Sequence, residues 1–140
     1  MALELVPLMN ATITIGEMAT IADGPFGTRV VIDIRGCHHE GDRIKAKQKG
    51  SAAADWALLA PVGIATLDVR LTLETDDGAL IFVSYKGKMD CSRGIGAEPI
   101  HSAPIFETGD PRYTWLNKVQ AVAKGTLEGE VLTYEIYELR

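Results

Sequence analysis

Several kinds of residue that mark common protein classes are scarce in this 140-residue chain. Two cysteines, Cys37 and Cys91, are too few for the disulfide framework of a small secreted domain and fit a reducing cytoplasm. Basic residues form no dense cluster, and the net charge of −5 argues against a general nucleic-acid binder. No apolar run approaches the roughly 18 residues that cross a bilayer, and the stretch MALELVPLMN lacks the features of a signal peptide. These absences predict a cytoplasmic protein that binds neither nucleic acid nor membrane.

The motifs that hold common cofactors are also missing. The sequence contains no P-loop, no dinucleotide-binding glycine fingerprint and no nucleophile elbow. Cys37 and His39 would share a face of a continuing strand, but a zinc site needs three or four converging ligands, and His101 is the one further imidazole apart from His38. We therefore expect neither a metal nor a cofactor.

Alternation of apolar and polar residues with a period of two dominates the sequence. It is clearest in TRVVIDIRG (28–36), ATLDVRLTLET (65–75) and EVLTYEIYEL (130–139), and it is typical of strands with one apolar face. Turn signals separate the runs, and Asp77-Gly78 is a strong hairpin signal. The length suits a single domain, 1–140, and the pattern favours an antiparallel barrel or sandwich.

About eight or nine strands are predicted, with little helix. Short helical turns are possible within GSAAADWALLA (50–60) and within DPRYTWLN (110–117), where Pro111 suits a first turn. The predicted strands cover 3–7, 11–20, 28–36, 43–49, 65–75, 79–88, 100–107, 117–125 and 130–139.

Asp68 and Arg70 are the first candidates for a site, since they lie two residues apart on one face of the strand 65–75. Same-face neighbours are roughly 7 Å apart, so the guanidinium could orient the carboxylate or receive an anionic oxygen. If apolar faces fill a barrel, the pair lies outside; if the lumen is wide enough for a ligand, the pair can line it. Periodicity alone does not choose between these arrangements.

Asp55 and His38 are candidate proton-transfer groups. Asp55 precedes Trp56 in an apolar stretch, where desolvation would raise the pKa of the carboxyl toward that of a general acid or base. A turn-capping aspartate beside a core tryptophan is the alternative. His38 or His39 could serve as a base near the mouth of a lumen.

A further cluster lies in FETGDPRYTWLN (106–117), where aromatic side chains are interleaved with an acid and an amide. Such a set suits the wall of a pocket for an aromatic ligand, or the packed end of a barrel. Tyr113 is a candidate catalytic residue, and the candidate ligand-binding residues are Trp56, Tyr85, Phe106, Glu107, Trp115 and Asn117.

The sequence resembles the DUF3237 (UPF0311) family of small bacterial and fungal β-barrel proteins through four segments in the same order: ADW (54–56), LDVRLTLETDDGALIFV (67–83), PIFETGDPRYTWLN (104–117) and YEIYELR (134–140). The resemblance implies a closed antiparallel barrel with a central cavity, which Asp68 and Arg70 would face. By the same resemblance, characteristic positions of the family are occupied by Asp55, Trp56, Asp68, Arg70, Glu107, Tyr113, Trp115 and Asn117.

The resemblance also implies a candidate chemistry, because some fungal relatives are cofactor-free cyclases that form oxygen heterocycles on aromatic natural products. We therefore expect a cofactor-independent lyase, isomerase or cyclase that uses general acid–base chemistry on a small aromatic or oxygenated molecule. Asp68 or Asp55 would transfer the proton. Arg70 and Tyr113 would stabilise oxyanion charge, and His38 would supply a second acid or base.

Two other functions remain open from the sequence. One is a non-catalytic binder or carrier with lipocalin-like logic, and the other is a structural or assembly module with a filled interior. A polar lumen would turn apolar strand faces outward, so we expect a homodimer or a higher homo-oligomer.

Overall fold

A computed structural model describes residues 1–140 as ten strands and one short 3-10 helix. The helix covers Thr114–Lys118. The strands are β1 (Leu5–Gly24), β2 (Gly27–Gly41), β3 (Ile44–Gln48), β4 (Ala54–Leu59), β5 (Ile64–Thr75), β6 (Leu80–Asp90), β7 (Ile100–Ser102), β8 (Ile105–Glu107), β9 (Ala121–Glu128) and β10 (Val131–Leu139).

Eight of these strands close into a ring, and all of their pairings are antiparallel. The order around the ring is β1, β2, β4, β5, β6, β7, β9 and β10, after which β10 pairs with β1 again. β3 pairs with both β2 and β5, and β8 pairs with β6. The predicted all-β barrel with little helix is confirmed.

Three strand predictions need correction. The segments 3–7 and 11–20 belong to one long strand, β1. The segment 100–107 is divided into β7 and β8 at Pro104, which has no N–H to give to a ladder. Residues 54–59 form a strand, although helix was possible there from the alanines, because β2 and β5 pair with this segment on both sides.

Apolar side chains point inward along every long strand, so the interior is hydrophobic. At one end of the barrel the packing is complete, and Leu73, Ile81 and Leu116 are fully buried. The 3-10 helix places Leu116 there, within the region where a helical turn is predicted. We call this the sealed end, and the opposite end, which includes the β1–β2 hairpin, the mouth. The one helix, a 3-10 helix of five residues, is too short to span a bilayer.

Candidate functional site

An apolar cavity lies inside the barrel, in the half near the mouth. Its volume is about 130 Å³, and of the 18 residues that line it 17 are hydrophobic. They come from strands all around the ring, among them Ile34 of β2, Val69 of β5 and Ile100 of β7. The one exception in the lining is Asp55. The cavity is therefore hydrophobic and contains a single carboxyl group.

Asp55 points into this cavity from β4 and is only 8% exposed. Next to it the ladder between β4 and β5 is interrupted, since Trp56 and Ala57 have no partner on β5. Asp55 Oδ1 accepts the free N–H of Asp68 at 2.9 Å, and the Trp56 carbonyl accepts a bond from Arg29 Nη1 at 3.1 Å. The carboxyl group is thus fixed by the backbone of the neighbouring strand.

Burial dominates the electrostatics of Asp55. Desolvation raises the pKa of its carboxyl from 3.8 to about 6, and the nearby Asp68 adds to the rise. The hydrogen bond from the Asp68 N–H acts in the opposite direction but does not cancel the effect of burial. Asp55 can therefore both accept and release a proton near neutral pH, which is the property expected of a general acid–base group.

Tyr85, which the sequence suggests as a ligand-contacting residue, forms part of the wall of the same cavity. It is buried, and its ring meets the ring of Tyr134 edge to face, with 5.8 Å between the centroids. Burial raises the pKa of its hydroxyl well above the usual range, so the group stays protonated.

The cavity reaches the surface at the mouth. Met18 and Ile95 line it and are also exposed, Ile95 by 71%. Leu59, Cys91 and Ile95 border both the cavity and a wider surface depression of about 650 Å³. A ligand could therefore place one part in the barrel and another part between the loops. Sequence reasoning missed Met18 and Ile95, because nothing local separates them from other exposed apolar residues.

The expectation that Asp68 and Arg70 face the lumen is wrong. Leu67, Val69 and Leu71 fill the inward positions of β5, so the residues between them lie on the outer surface. Arg70 is exposed, and its Cζ lies 4.3 Å from the centroid of the outward-facing Trp56 ring. Neither the Asp68 nor the Arg70 side chain lines the cavity, and the same is true of Trp56.

The two adjacent histidines lie on opposite faces of β2. The register with β1 shifts at Arg35 and Gly36, which reverses the alternation, so that Cys37 and His39 are buried while His38 is exposed. Burial lowers the pKa of His39 to about 4, with a contribution from His38. His38 is therefore outside the cavity, and the expectation that it acts from the mouth of the lumen is wrong. His39 is a neutral interior side chain.

The 106–117 cluster lies at the sealed end, away from the cavity. Asn117 binds both backbone groups of Thr108: its Oδ1 accepts the N–H at 2.9 Å, and its Nδ2 donates to the carbonyl at 2.8 Å. Tyr113 donates its hydroxyl to Asp77 Oδ1 at 2.9 Å, in the β5–β6 turn. The predicted roles of Tyr113 in catalysis and Asn117 in ligand binding at the cavity are not supported by this placement.

The other members of the cluster also lie outside the cavity. Phe106 is buried in the core, and Glu107 is exposed. The ring of Trp115 is covered by the Arg43 guanidinium, whose Cζ is 3.5 Å from the ring centroid. Arg112 pairs with Asp110 at 2.9 Å. The cluster closes one end of the barrel, which is the alternative that the sequence left open. No three His, Cys, Asp or Glu side chains converge in a way that could hold a metal ion.

Two known proteins are similar in sequence to this chain over almost its whole length. A UPF0311 protein of Rhodopseudomonas palustris strain TIE-1 is 25% identical over 149 residues, which covers 98% of this chain and 97% of the relative. A UPF0311 protein of Bradyrhizobium diazoefficiens is 26% identical over 147 residues, which covers 94% of this chain and 93% of the relative.

Solved structures agree with the barrel described above. A β-barrel-like protein from Acinetobacter baumannii AYE superposes with a TM-score of 0.89 at 29% identity, covering 99% of this chain and 97% of that one. An enzyme from Penicillium herquei shares the fold at a TM-score of 0.73 and 22% identity, covering 99% of this chain and 94% of that one. The sequence model of DUF3237, a family of unknown function, matches residues 3–139. The resemblance seen in the sequence is confirmed, and the chain belongs to the DUF3237 family.

Proposed function

We propose that this barrel binds a small, mainly apolar cyclic molecule and moves a proton within it through Asp55, without a cofactor. The observation that carries the proposal is the position of Asp55 as the one acidic residue in the lining of a mainly hydrophobic cavity. The reaction class is that of an isomerase, lyase or cyclase. A neighbour with the same fold is described as an enzyme, which supports catalysis in such a barrel.

The size of the cavity limits the part of the ligand that enters the barrel. An engineered protein cavity of about 150 Å³ holds one benzene molecule, so a volume of about 130 Å³ suits a single six-membered ring. Substituents would extend into the depression at the mouth, between Phe26 and Ile95. The ligand class is therefore a monocyclic molecule, aromatic or oxygenated, whose ring enters the barrel and whose side groups lie outside it.

The chemistry that fits this arrangement is proton transfer at a carbon next to a carbonyl group. The Asp55 carboxylate would remove the proton, and the electrons of the C–H bond would pass into an enolate. The resulting carboxylic acid would return the same proton to a different carbon, so that the product has the same atoms as the substrate. A group with a pKa near 6 has enough of both forms at neutral pH for the two steps.

A binding or carrier function is the second candidate, and one observation favours it. Apart from Asp55 the lining is hydrophobic, which is sufficient to hold an apolar molecule but offers little to stabilise a developing negative charge. In that case Asp55 would serve as a hydrogen-bond acceptor for the ligand.

The isomerisation of 3-cyclohexen-1-one to 2-cyclohexen-1-one tests the proposal, because the conjugated product is followed by its ultraviolet absorbance. We expect the wild-type protein to accelerate the reaction. The catalysed rate of the Asp55→Asn variant should be at least about 100-fold lower. Asp33→Asn, which removes an exposed carboxylate from the adjacent strand, is the matched control and should keep the full rate.

Benzene binding, measured by the change in melting temperature, separates the two candidate functions. Benzene should stabilise the wild-type protein and Asp55→Asn alike. Binding of benzene without any isomerisation would favour the carrier. Equal isomerisation rates in the wild-type and Asp55→Asn proteins would refute the role of Asp55.

A further inference from the structure

Four buried polar atoms at mid-barrel make no hydrogen bond of good geometry within the protein, although the Tyr85 and Tyr134 hydroxyls are near enough to interact weakly with each other. They are His39 Nδ1, Tyr85 Oη, Ser102 Oγ and Tyr134 Oη. The four residues line one small internal cavity of about 10 Å³, which lies on the far side of Tyr85 from the Asp55 cavity. Unpartnered polar atoms are rare in protein interiors, and four around one space point to a common partner.

The strand register brings these side chains together. Ala11 of β1 pairs with Tyr134 of β10 on one side and with His39 of β2 on the other. Ser102 of β7 lies across from Ala123 of β9. The small side chains of Ala11 and Ala123 also line the cavity, and they leave space where larger residues would fill the barrel.

The four groups carry no charge, so a charged ligand would lose its hydration in this small buried space without an opposite charge to replace it. Burial lowers the pKa of His39 to about 4 and raises that of Tyr134 to about 12. The tyrosine hydroxyls can donate, Nδ1 of a neutral histidine can accept, and the serine hydroxyl can do either. The partner must then offer both donors and acceptors and must be very small.

We propose that one water molecule occupies this cavity and is a fixed part of the barrel interior. It would accept hydrogen bonds from Tyr85 and Tyr134 and donate to His39 and Ser102, which uses its two lone pairs and both protons. The volume matches one water, since a site of roughly 10–15 Å³ is the minimum that holds it. This inference does not depend on the reaction proposed for Asp55.

A crystal structure of the full wild-type chain, refined at high enough resolution to place ordered water, tests the proposal. We expect one peak of density within hydrogen-bonding distance of at least three of the four atoms. An empty cavity, or direct bonds among the four side chains in place of the water, would overturn it.

Tyr134→Phe gives a second test that does not depend on crystals. Removing one hydroxyl leaves the water with fewer partners, so we expect the melting temperature to fall by roughly 2–6 °C. Tyr137→Phe is the matched control on the same strand, because its exposed hydroxyl binds only Glu135 at 3.2 Å, and it should leave the melting temperature unchanged. Ser102→Ala should act as Tyr134→Phe does. An unchanged or raised melting temperature in both interior variants would contradict a bound water.

Discussion

Side-chain direction decides what each acidic residue of this barrel can do. Asp55 and Asp68 are linked by a hydrogen bond between neighbouring strands, yet only Asp55 points into the cavity. The difference follows from alternation: Asp55 shares the inward face with Val69 opposite it, and Asp68 lies one position away on the outer face. A carboxyl group in an apolar space changes its proton affinity, whereas one at the surface remains solvated.

Asp55→Asn should change how stability depends on pH. The raised pKa means that the folded protein holds a proton that the unfolded chain has released. The stabilisation from Asp55 is therefore complete below pH 3.8 and is lost as the pH rises through about 6. Asparagine does not titrate, so the variant should gain about 2 kcal/mol relative to the wild-type protein between pH 4 and 7.

Urea unfolding of both proteins at several pH values measures this difference. His39, whose lowered pKa destabilises the fold as the pH falls from about 6.5 to about 4, is present in both proteins and cancels. Asp33→Asn, which removes an exposed carboxylate, is the control variant for this measurement. Parallel curves for Asp55→Asn and the wild-type protein would show that the carboxyl group of Asp55 is solvated.

At the scale of elements, the segment that follows β8 is a clasp for the sealed end. Asn117 satisfies two backbone groups of Thr108, and the Thr108 hydroxyl in turn donates to the Leu80 carbonyl at 2.8 Å. Tyr113 joins this segment to the β5–β6 turn through Asp77. These hydrogen bonds hold the segment against the neighbouring strand and turn, and in this way they close the end of the barrel.

Asn117→Ala should destabilise the protein by about 1–3 kcal/mol, because the Thr108 N–H and carbonyl lose their partner. Chemical denaturation measures the loss. Glu107→Gln, ten residues earlier and exposed, should change stability by less than about 0.5 kcal/mol. A small effect of Asn117→Ala would mean that water replaces the amide and that the clasp contributes little.

Gly125→Ala should destabilise the pairing of β9 with β10. Tyr134 lies directly opposite, and a Cβ at position 125 would come within 2.5 Å of its ring. The ring must move, and we expect a loss of about 1–3 kcal/mol in thermal or chemical unfolding. Gly36→Ala, where a Cβ meets no atom within 4 Å, should be close to neutral. Equal stabilities would show that the Tyr134 ring moves aside at little cost.

Sequence patterns predicted those elements in which local alternation is strong. The strand 65–75 is an example, since its inward leucines and valines alternate without a break. The sequence alone does not separate the strand 54–59 from a helical turn, because alanine, the commonest residue of 50–60, suits a helix and the pairing with β2 and β5 is long-range. The directions of His38 and His39 depend on a register shift that only the pairing with β1 reveals.

Only part of the candidate site is predictable from the sequence, because long-range strand pairing decides which side chains turn inward. Asp55 and Tyr85 were identified and do line the cavity. Asp68 and Arg70 were assigned to the lumen on family resemblance, while the alternation of β5 alone allowed the outer position that the structure gives them. Which face of a strand turns inward is a property of the closed ring, and no single strand encodes it.

At the scale of the whole molecule, the barrel has two unlike ends. The sealed end is filled by large apolar side chains and closed by the clasp, whereas the mouth leads through exposed apolar residues to the cavity. The two cysteines differ in burial. Cys91 is half-buried at the mouth, and Cys37 is buried among the core residues.

Thiol labelling should therefore distinguish the two cysteines. Burial raises the pKa of both thiols, that of Cys37 to about 12, but only Cys91 borders the surface depression, where a reagent can reach it. We expect a disulfide reagent to modify one thiol per native chain and two per chain in denaturant. Cys91→Ser should abolish labelling of the native protein. Rapid modification of both thiols in the native wild-type protein would show that the barrel opens fully.

The separation of the two ends has a consequence for protein engineering. The connections at the mouth are 25–26, 60–63, 91–99 and 129–130, and none of them supplies a residue to the clasp. These loops could be exchanged between barrels of this kind while the closed end preserves the fold. A chimera built in this way would take the surface depression at its mouth from one parent and its closed end from the other.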